Sequence, residues 1–248
     1  MQYREYGKEN QDVIVLLHGG GLSWWNYREI ARMLQSDYRV ILPILDGHAG
    51  SDRDFTTIRN NAIEIISFIN QEFKGSVFMI GGVSLGAQIL LEILAIRGDI
   101  CQYAIVESAL AKPSAFTYSA IRPAMDSCYR LIRHQWFAKL QFRYLKIRQE
   151  LFEEYYRDTC ALTKSNMIAF LQENAMYTAK ESLKNCHAKV YIFAAEKEGY
   201  AVIESAEKIQ KMIPESTSVI LPDLYHGEFS MNCASDYVKK LLEMIGKE

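Results

Sequence analysis

A serine between two glycines, in the segment Gly-Val-Ser-Leu-Gly at residues 82–86, constrains the fold of this chain more than any other feature. It follows an apolar, strand-like run at residues 77–80, and a helical pattern begins directly after it. A sharp turn between a strand and a helix raises its central serine to the apex in a strained conformation. Gly82 and Gly86 supply the space that such a turn needs. An ordinary glycine-rich turn is the alternative interpretation, so the rest of the chain decides between the two.

A second glycine-rich segment, His18 and the three glycines after it, follows the strand-like run at residues 13–17. Glycines after a buried strand let the backbone approach a substrate, and one of their N–H groups can stabilise an oxyanion. We predict that Gly20, or alternatively Gly21, provides one donor and that Leu85 provides the other. The segment lacks the lysine of a phosphate-binding loop and the spacing of a dinucleotide-binding loop. His18 is expected to hold the loop through its ring nitrogens.

A general base for Ser84 is expected on a loop near the end of the chain. The chain has five histidines: His18, His48, His134, His187 and His226. Only His226 follows the last strand-like run, at residues 218–221, as the chain order serine, acid, histidine requires. An acid must accept the other imidazole N–H and stabilise the imidazolium that forms. Glu196 and Glu198 both follow the strand-like run at residues 190–195 and are both available for this role.

Strand-like and helical patterns alternate along most of the chain. The strands are expected at about residues 13–17, 39–44, 77–81, 103–106, 189–194 and 218–221. The helices between them are expected at about residues 26–35, 58–72, 85–97, 201–213 and 235–246. This alternation predicts an α/β fold with a mostly parallel, doubly wound sheet covered by helices on both faces. The candidate residues all follow strands, so they are expected in one crevice at the carboxyl ends of the strands.

These motifs resemble the α/β-hydrolase fold superfamily, in particular its small, cap-bearing carboxylesterases and acyl hydrolases. Residues 45–52, Leu-Asp-Gly-His-Ala-Gly-Ser-Asp, are similar to the Asp-Gly-His-Gly-x-Ser loop of this family. Relatives commonly carry their acid in a Gly-x-x-Asp pattern after the penultimate strand, where this chain has Ala195 and Glu198. Some relatives take it from the preceding strand, which ends here at Glu107. The resemblance therefore implies Glu198 as the acid, with Glu196 and Glu107 as alternatives.

The resemblance also implies a core domain of residues 1–109 and 187–248 with an inserted helical cap, or lid, at residues 110–186. Within this segment, apolar residues recur every three to four positions and predict a helical stripe with Pro123 at a helix start. The stripe consists of Ile121, Met125, Tyr129, Ile132, Trp136, Leu140, Tyr144 and Ile147. The segment is also rich in cations from Arg130 to Arg148, which indicates either a basic lid that attracts acidic substrates or a solvated helix face. Trp24 and Trp25, just after the glycine loop, are predicted to contact the substrate.

The function that the resemblance implies is cleavage of an ester-type bond of a small or acyl-chain substrate. The predicted catalytic residues are Ser84, His226 and Glu198, acting through an acyl-enzyme intermediate. No metal or organic cofactor is expected. Thioester, amide, lactone or carbon–carbon bond hydrolysis on the same residues is an alternative, because the fold does not determine the substrate. A ligand-binding relative with little turnover is the other alternative.

Composition sets the remaining expectations. The chain has 248 residues, of which 49% are hydrophobic, enough for one domain with a sizeable core. The net charge of −2 predicts no general affinity for nucleic acid or anionic membranes. Five scattered cysteines indicate reduced thiols and a cytoplasmic location. No apolar run approaches the ~20 residues of a bilayer span, so no stable membrane insertion is expected. Aromatic residues of the predicted cap leave a homodimer possible.

Overall fold

The computed structural model describes residues 1–247, and its centre is one seven-stranded sheet. The strands are β1 (Tyr3–Tyr6), β2 (Val13–Leu17), β3 (Arg39–Pro43), β4 (Val77–Val83), β5 (Cys101–Glu107), β6 (Lys189–Ala195) and β7 (Ser216–Leu221). Their spatial order is β1-β3-β2-β4-β5-β6-β7. Strands β2 to β7 are parallel, and β1 pairs antiparallel with β3 at one edge. The predicted α/β fold with a mostly parallel sheet is confirmed.

Ten α-helices surround the sheet within the described residues. They are α1 (Arg28–Leu34), α2 (Ile58–Glu72), α3 (Leu85–Ile96), α4 (Ala115–Cys128), α5 (Gln135–Tyr144), α6 (Phe152–Ala161), α7 (Lys164–Met176), α8 (Tyr200–Met212), α9 (Glu228–Asn232) and α10 (Ala234–Met244). Helices α2, α3 and α8 contribute to the core on one face of the sheet, and α1 and α10 contribute to the core on the other. Because both faces are covered, a central strand such as β2 is buried at every position and its sequence is continuously apolar.

A helical insertion, α4 to α7, separates β5 from β6. It packs on the rest of the protein through two apolar groups: Phe170 and Leu162 join the core over the sheet, and Phe142 and Phe152 surround Trp25. Within residues 1–247, no helix has the length and apolarity to cross a bilayer.

The apolar stripe predicted in this insertion does not form one buried helical face. Helix α4 ends at Cys128, a 3-10 turn follows over Tyr129–Arg133, and α5 begins only at Gln135. Pro123 lies inside α4, whose first turn is capped instead by Ser114, since the Ser114 hydroxyl accepts the Thr117 N–H at 3.2 Å. The outer face of α5 is exposed although it is apolar. Regular spacing predicts a helix but does not reveal which face of the helix has a packing partner.

Candidate active site

The turn from β4 into α3 holds Ser84 in the conformation that the glycine pattern predicts. Ser84 has φ 54° and ψ −113°, and a positive φ is strained for a residue with a side chain. A Cβ on Gly82 would lie 2.5 Å from the Gly86 carbonyl oxygen, and a Cβ on Gly86 would lie 2.2 Å from the Leu17 carbonyl oxygen. Both separations are far below van der Waals contact, so only glycine fits on either side of this serine.

His226 lies on the loop between β7 and α9, within hydrogen-bond distance of Ser84. Its Nε2 is 3.0 Å from the Ser84 Oγ, and 47% of its side chain is exposed. Desolvation of the buried part of the ring lowers the pKa of His226, and the negative charge of Glu198 opposes this effect. The imidazole is therefore neutral at neutral pH, which is the form that can accept the serine proton.

Glu198, of the three candidate acids, is the one whose carboxylate faces His226. Its Oε1 is 3.8 Å from the His226 Nδ1, a charge contact longer than a hydrogen bond, and its side chain is fully buried. Glu196 is exposed and its Oε2 accepts the Asp223 N–H at 2.9 Å. Glu107 is also buried, but its Oε1 accepts the N–H of Ser230 in α9 at 3.1 Å. Burial raises the pKa of Glu107 to about 7.

Ser108 is a polar residue of the site that no sequence motif predicts. Its hydroxyl donates a hydrogen bond to the Glu198 Oε1 and accepts the Gly227 N–H at 3.2 Å. It is buried and has a φ of 55°, a second strained backbone position at the carboxyl end of a strand. Ser108 thereby connects the carboxylate to the backbone beside His226. The only sequence signal for it is its place directly after Glu107, at the end of β5.

Existing hydrogen bonds distinguish the candidate oxyanion donors from one another. The Gly21 N–H donates to the His48 Nε2 at 3.0 Å, so this group already has a partner. Within residues 1–247, no hydrogen bond uses the N–H of Gly20 or of Leu85. Leu85 is the first residue of α3, where backbone N–H groups have no partner inside the helix. These bonds favour Gly20 over Gly21 as the partner of Leu85.

Two buried histidines hold the glycine loop through hydrogen bonds to its backbone. The His18 Nε2 accepts the Leu45 N–H at 3.1 Å, and its Nδ1 donates to the Gly19 carbonyl at 2.9 Å. The His48 Nδ1 donates to the Asp46 carbonyl at 3.0 Å, which leaves Nε2 to accept the Gly21 N–H. Desolvation lowers the pKa of both rings, that of His48 to about 4. Both therefore stay neutral near pH 7, and His18 holds the loop as its sequence position suggests.

A small cavity of about 150 Å³ opens beside Ser84 and His226. Its walls are mostly apolar and come from the glycine loop, the turn at Ser84, the α9 segment and the helical insertion. The side chains that enclose it are Leu22, Val83, Leu145, Ile147 and Met231. A larger groove of about 560 Å³ lies along α8, but none of the candidate catalytic residues lines it.

Trp24 and Trp25, predicted to contact the substrate, do not line this cavity. Trp25 is 1% exposed, and its Nε1 donates to the Asp158 Oδ2 at 2.8 Å. A buried indole N–H needs a partner, and this one joins the glycine loop region to the helical insertion. Trp24 instead lies beneath two guanidinium groups, those of Arg4 and Arg28, at 5.4 and 5.9 Å from its ring centre. Trp25 therefore attaches the insertion to the core.

A strained serine on a strand–helix turn, beside a histidine and a buried carboxylate on a mostly parallel sheet, defines an α/β-hydrolase. The sequence model described as "Alpha/beta hydrolase family" matches residues 14–238. The chain belongs to the alpha/beta hydrolase family, as its motifs indicate.

Solved structures of other proteins, two esterases among them, share this fold over nearly the whole chain. An esterase from Thermogutta terrifontis has a TM-score of 0.81 at 17% identity, with 99% of this chain and 93% of that chain covered. An esterase from Exiguobacterium antarcticum has a TM-score of 0.81 at 17% identity, with coverage of 98% and 94%. MenH from S. aureus has a TM-score of 0.77 at 19% identity, with coverage of 99% and 97%. No curated protein sequence matches the chain significantly.

Proposed function

We propose that this protein is a serine hydrolase that cleaves carboxylic esters with a short acyl group. The observation that carries the proposal is the 3.0 Å contact between the His226 Nε2 and the Oγ of the strained Ser84. Membership of the alpha/beta hydrolase family supports hydrolysis, and the similarity to two esterases agrees with an ester substrate.

The first half of the proposed reaction acylates the serine. The Ser84 Oγ attacks the ester carbonyl carbon while its proton passes to the His226 Nε2. The carbonyl oxygen takes the negative charge and accepts hydrogen bonds from the N–H groups of Gly20 and Leu85. When this intermediate collapses, the bond to the alcohol oxygen breaks and the alcohol leaves with the proton from Nε2. Glu198 stabilises the imidazolium that exists between these two steps.

The second half releases the acid. A water molecule gives its proton to the neutral His226 and attacks the acyl carbonyl carbon, so that the negative charge returns to the same oxygen. The bond to the Ser84 Oγ then breaks, and the serine recovers its proton from Nε2. No group other than Ser84, His226, Glu198 and the two backbone donors takes part in these steps.

The cavity supports a short acyl group. At about 150 Å³, it is smaller than the ~300–1,000 Å³ of a typical ligand pocket. Leu145 and Ile147 of the helical insertion line it. The proposal therefore favours acetyl to butyryl esters over long-chain esters.

Hydrolysis of p-nitrophenyl esters from acetate to palmitate tests the proposal directly. Wild type should cleave the short esters, and Ser84→Ala should lose on the order of 10³-fold or more of the rate while it stays folded. Ser235→Ala is the matched control, because Ser235 is exposed on α10, and it should be unchanged. Turnover that survives in Ser84→Ala would overturn the assignment. Absence of ester turnover in wild type would favour another bond class or a ligand-binding role.

A further inference from the structure

Helix α5 is apolar on two opposite faces. Its inner face packs Ala138 and Phe142 against the rest of the protein. Its outer face carries Trp136, Leu140 and Tyr144, which are 61%, 61% and 84% exposed. These three residues are spaced four apart and therefore form one continuous stripe, here called the outer stripe. A soluble protein rarely exposes such a contiguous apolar surface without a partner for it.

The outer stripe lies in the most basic part of the chain. Residues 127–149 contain six arginines and lysines and no aspartate or glutamate, although the whole protein has a net charge of −2. One of the six, Arg148, forms an ion pair with Glu29. The other five are exposed and have no ion pair within residues 1–247: Arg130, Arg133, Lys139, Arg143 and Lys146. The nearest acidic residues along the chain are Asp126, which pairs with Lys164, and Glu150.

We propose that the outer stripe of α5 docks onto the surface of a membrane that contains anionic lipid. Tryptophan and tyrosine have an apolar ring and a polar tip, which suits the boundary between headgroups and acyl chains. Lys139 and Arg143 lie beside the stripe and would contact anionic headgroups, since a basic amphipathic helix favours such surfaces. The net charge of the whole protein does not report this local excess.

Charge also decides against a second copy of this chain as the partner. A two-fold dimer through the outer stripe would bring Lys139 and Arg143 of both copies together, and like charges at a desolvated interface are unfavourable. An anionic surface satisfies the same cations. The stripe is therefore better matched to lipid than to itself.

The position of α5 connects this surface to the candidate active site. Leu145 follows Tyr144 directly, is 41% exposed, and lines the cavity beside Ser84. Docking would place this side of the cavity at the lipid surface, where it would meet short-acyl esters of apolar alcohols. That consequence rests on the proposed ester hydrolysis, whereas the docking itself does not and is measured without turnover.

Co-sedimentation with lipid vesicles tests the proposal. Wild type should partition onto vesicles of phosphatidylcholine mixed with phosphatidylglycerol, more weakly onto pure phosphatidylcholine, and less as salt is added. Each cation near an anionic surface strengthens partitioning about five-fold, so Lys139→Gln with Arg143→Gln should weaken it about 25-fold. Trp136→Ser with Leu140→Ser should weaken it by at least about ten-fold. Loss of the blue shift of tryptophan fluorescence on vesicles would accompany the second pair.

The matched controls lie on α8 of the core. Tyr200→Ser changes an aromatic residue that is 73% exposed, and Lys208→Gln with Lys211→Gln removes two exposed cations. These variants should partition like wild type. Hydrolysis of soluble p-nitrophenyl acetate should be the same in all variants, which separates docking from catalysis. The proposal is overturned by equal partitioning onto both vesicle types, by equal losses in the α8 controls, or by a dimer in sedimentation velocity that the Trp136→Ser pair dissociates.

Discussion

Replacement of Ser108 by alanine is expected to reduce catalysis although this residue does not touch the substrate cavity. The Ser108 hydroxyl donates to the fully buried Glu198 carboxylate and accepts the N–H beside His226. A hydrogen bond to a charged group contributes about 1.5–3 kcal/mol. If most of it acts on the transition state, kcat/KM falls by roughly ten- to hundred-fold, since 1.36 kcal/mol is a factor of ten. KM should change little, because no contact to the substrate is lost.

The pH profile distinguishes this positioning role from a loss of stability. The negative charge of Glu198 raises the pKa of His226 against the effect of desolvation. The Ser108 hydroxyl holds the carboxylate facing the His226 Nδ1, so its loss lets the charge move away from the ring. Without the hydroxyl, the pKa of His226 should fall, so the acid limb of kcat/KM should move to lower pH while the plateau drops. The assay is kcat/KM for p-nitrophenyl acetate from pH 4 to 9.

Two further variants complete the experiment. Ser108→Gly also lacks the hydroxyl but relieves the positive φ, so it should lose the same activity as Ser108→Ala and be more stable to heat. Ser205→Ala removes another buried serine, whose Oγ accepts the Ala111 N–H at 2.9 Å, and should change only the melting temperature. Wild-type kcat/KM and an unmoved acid limb in Ser108→Ala would refute the reasoning.

Three other predictions concern the neighbouring residues. Glu198→Gln should lose most activity and Glu196→Gln almost none, measured as kcat at saturating ester; the opposite result would assign the acid to Glu196. Ile147→Ala should enlarge the cavity and shift the preferred p-nitrophenyl ester to longer chains, whereas an unchanged preference would place the acyl group elsewhere. Burial raises the pKa of Glu107 to about 7, so its contribution to stability is full below about pH 4.5 and is lost as pH rises through 7. Glu107→Gln should therefore flatten urea-unfolding stability between these pH values, and a wild-type slope would contradict the assigned pKa.

The local parts of the site were accessible from the sequence because they are encoded by residues close together in the chain. Glycines on both sides of Ser84 predict its strained turn, since only glycine avoids backbone atoms within 2.5 Å there. His226 is the exception: it lies 142 positions from Ser84, and chain order alone selected it among the histidines. The strand–helix alternation predicted the parallel sheet in the same way, because central strands such as β2 are continuous apolar runs.

Contacts between distant segments were not accessible in this way. The bond from Ser108 to Glu198 joins residues 90 positions apart, and that from Trp25 to Asp158 joins residues 133 positions apart. No sequence pattern around one residue of each pair indicates its partner. The exposure of the outer stripe of α5 could not be predicted either, because the helical spacing of apolar residues is the same whether a face is buried or exposed.

Covalent labelling with a fluorophosphonate tests the central claim, that His226 activates Ser84, most directly. In wild type, the Ser84 Oγ should displace fluoride, and mass spectrometry of the digested protein should map the adduct to the peptide that contains residues 82–86. Labelling should disappear in Ser84→Ala and slow by orders of magnitude in His226→Ala, which keeps the serine but lacks the base. An adduct on another residue, or labelling at the wild-type rate in His226→Ala, would contradict the account.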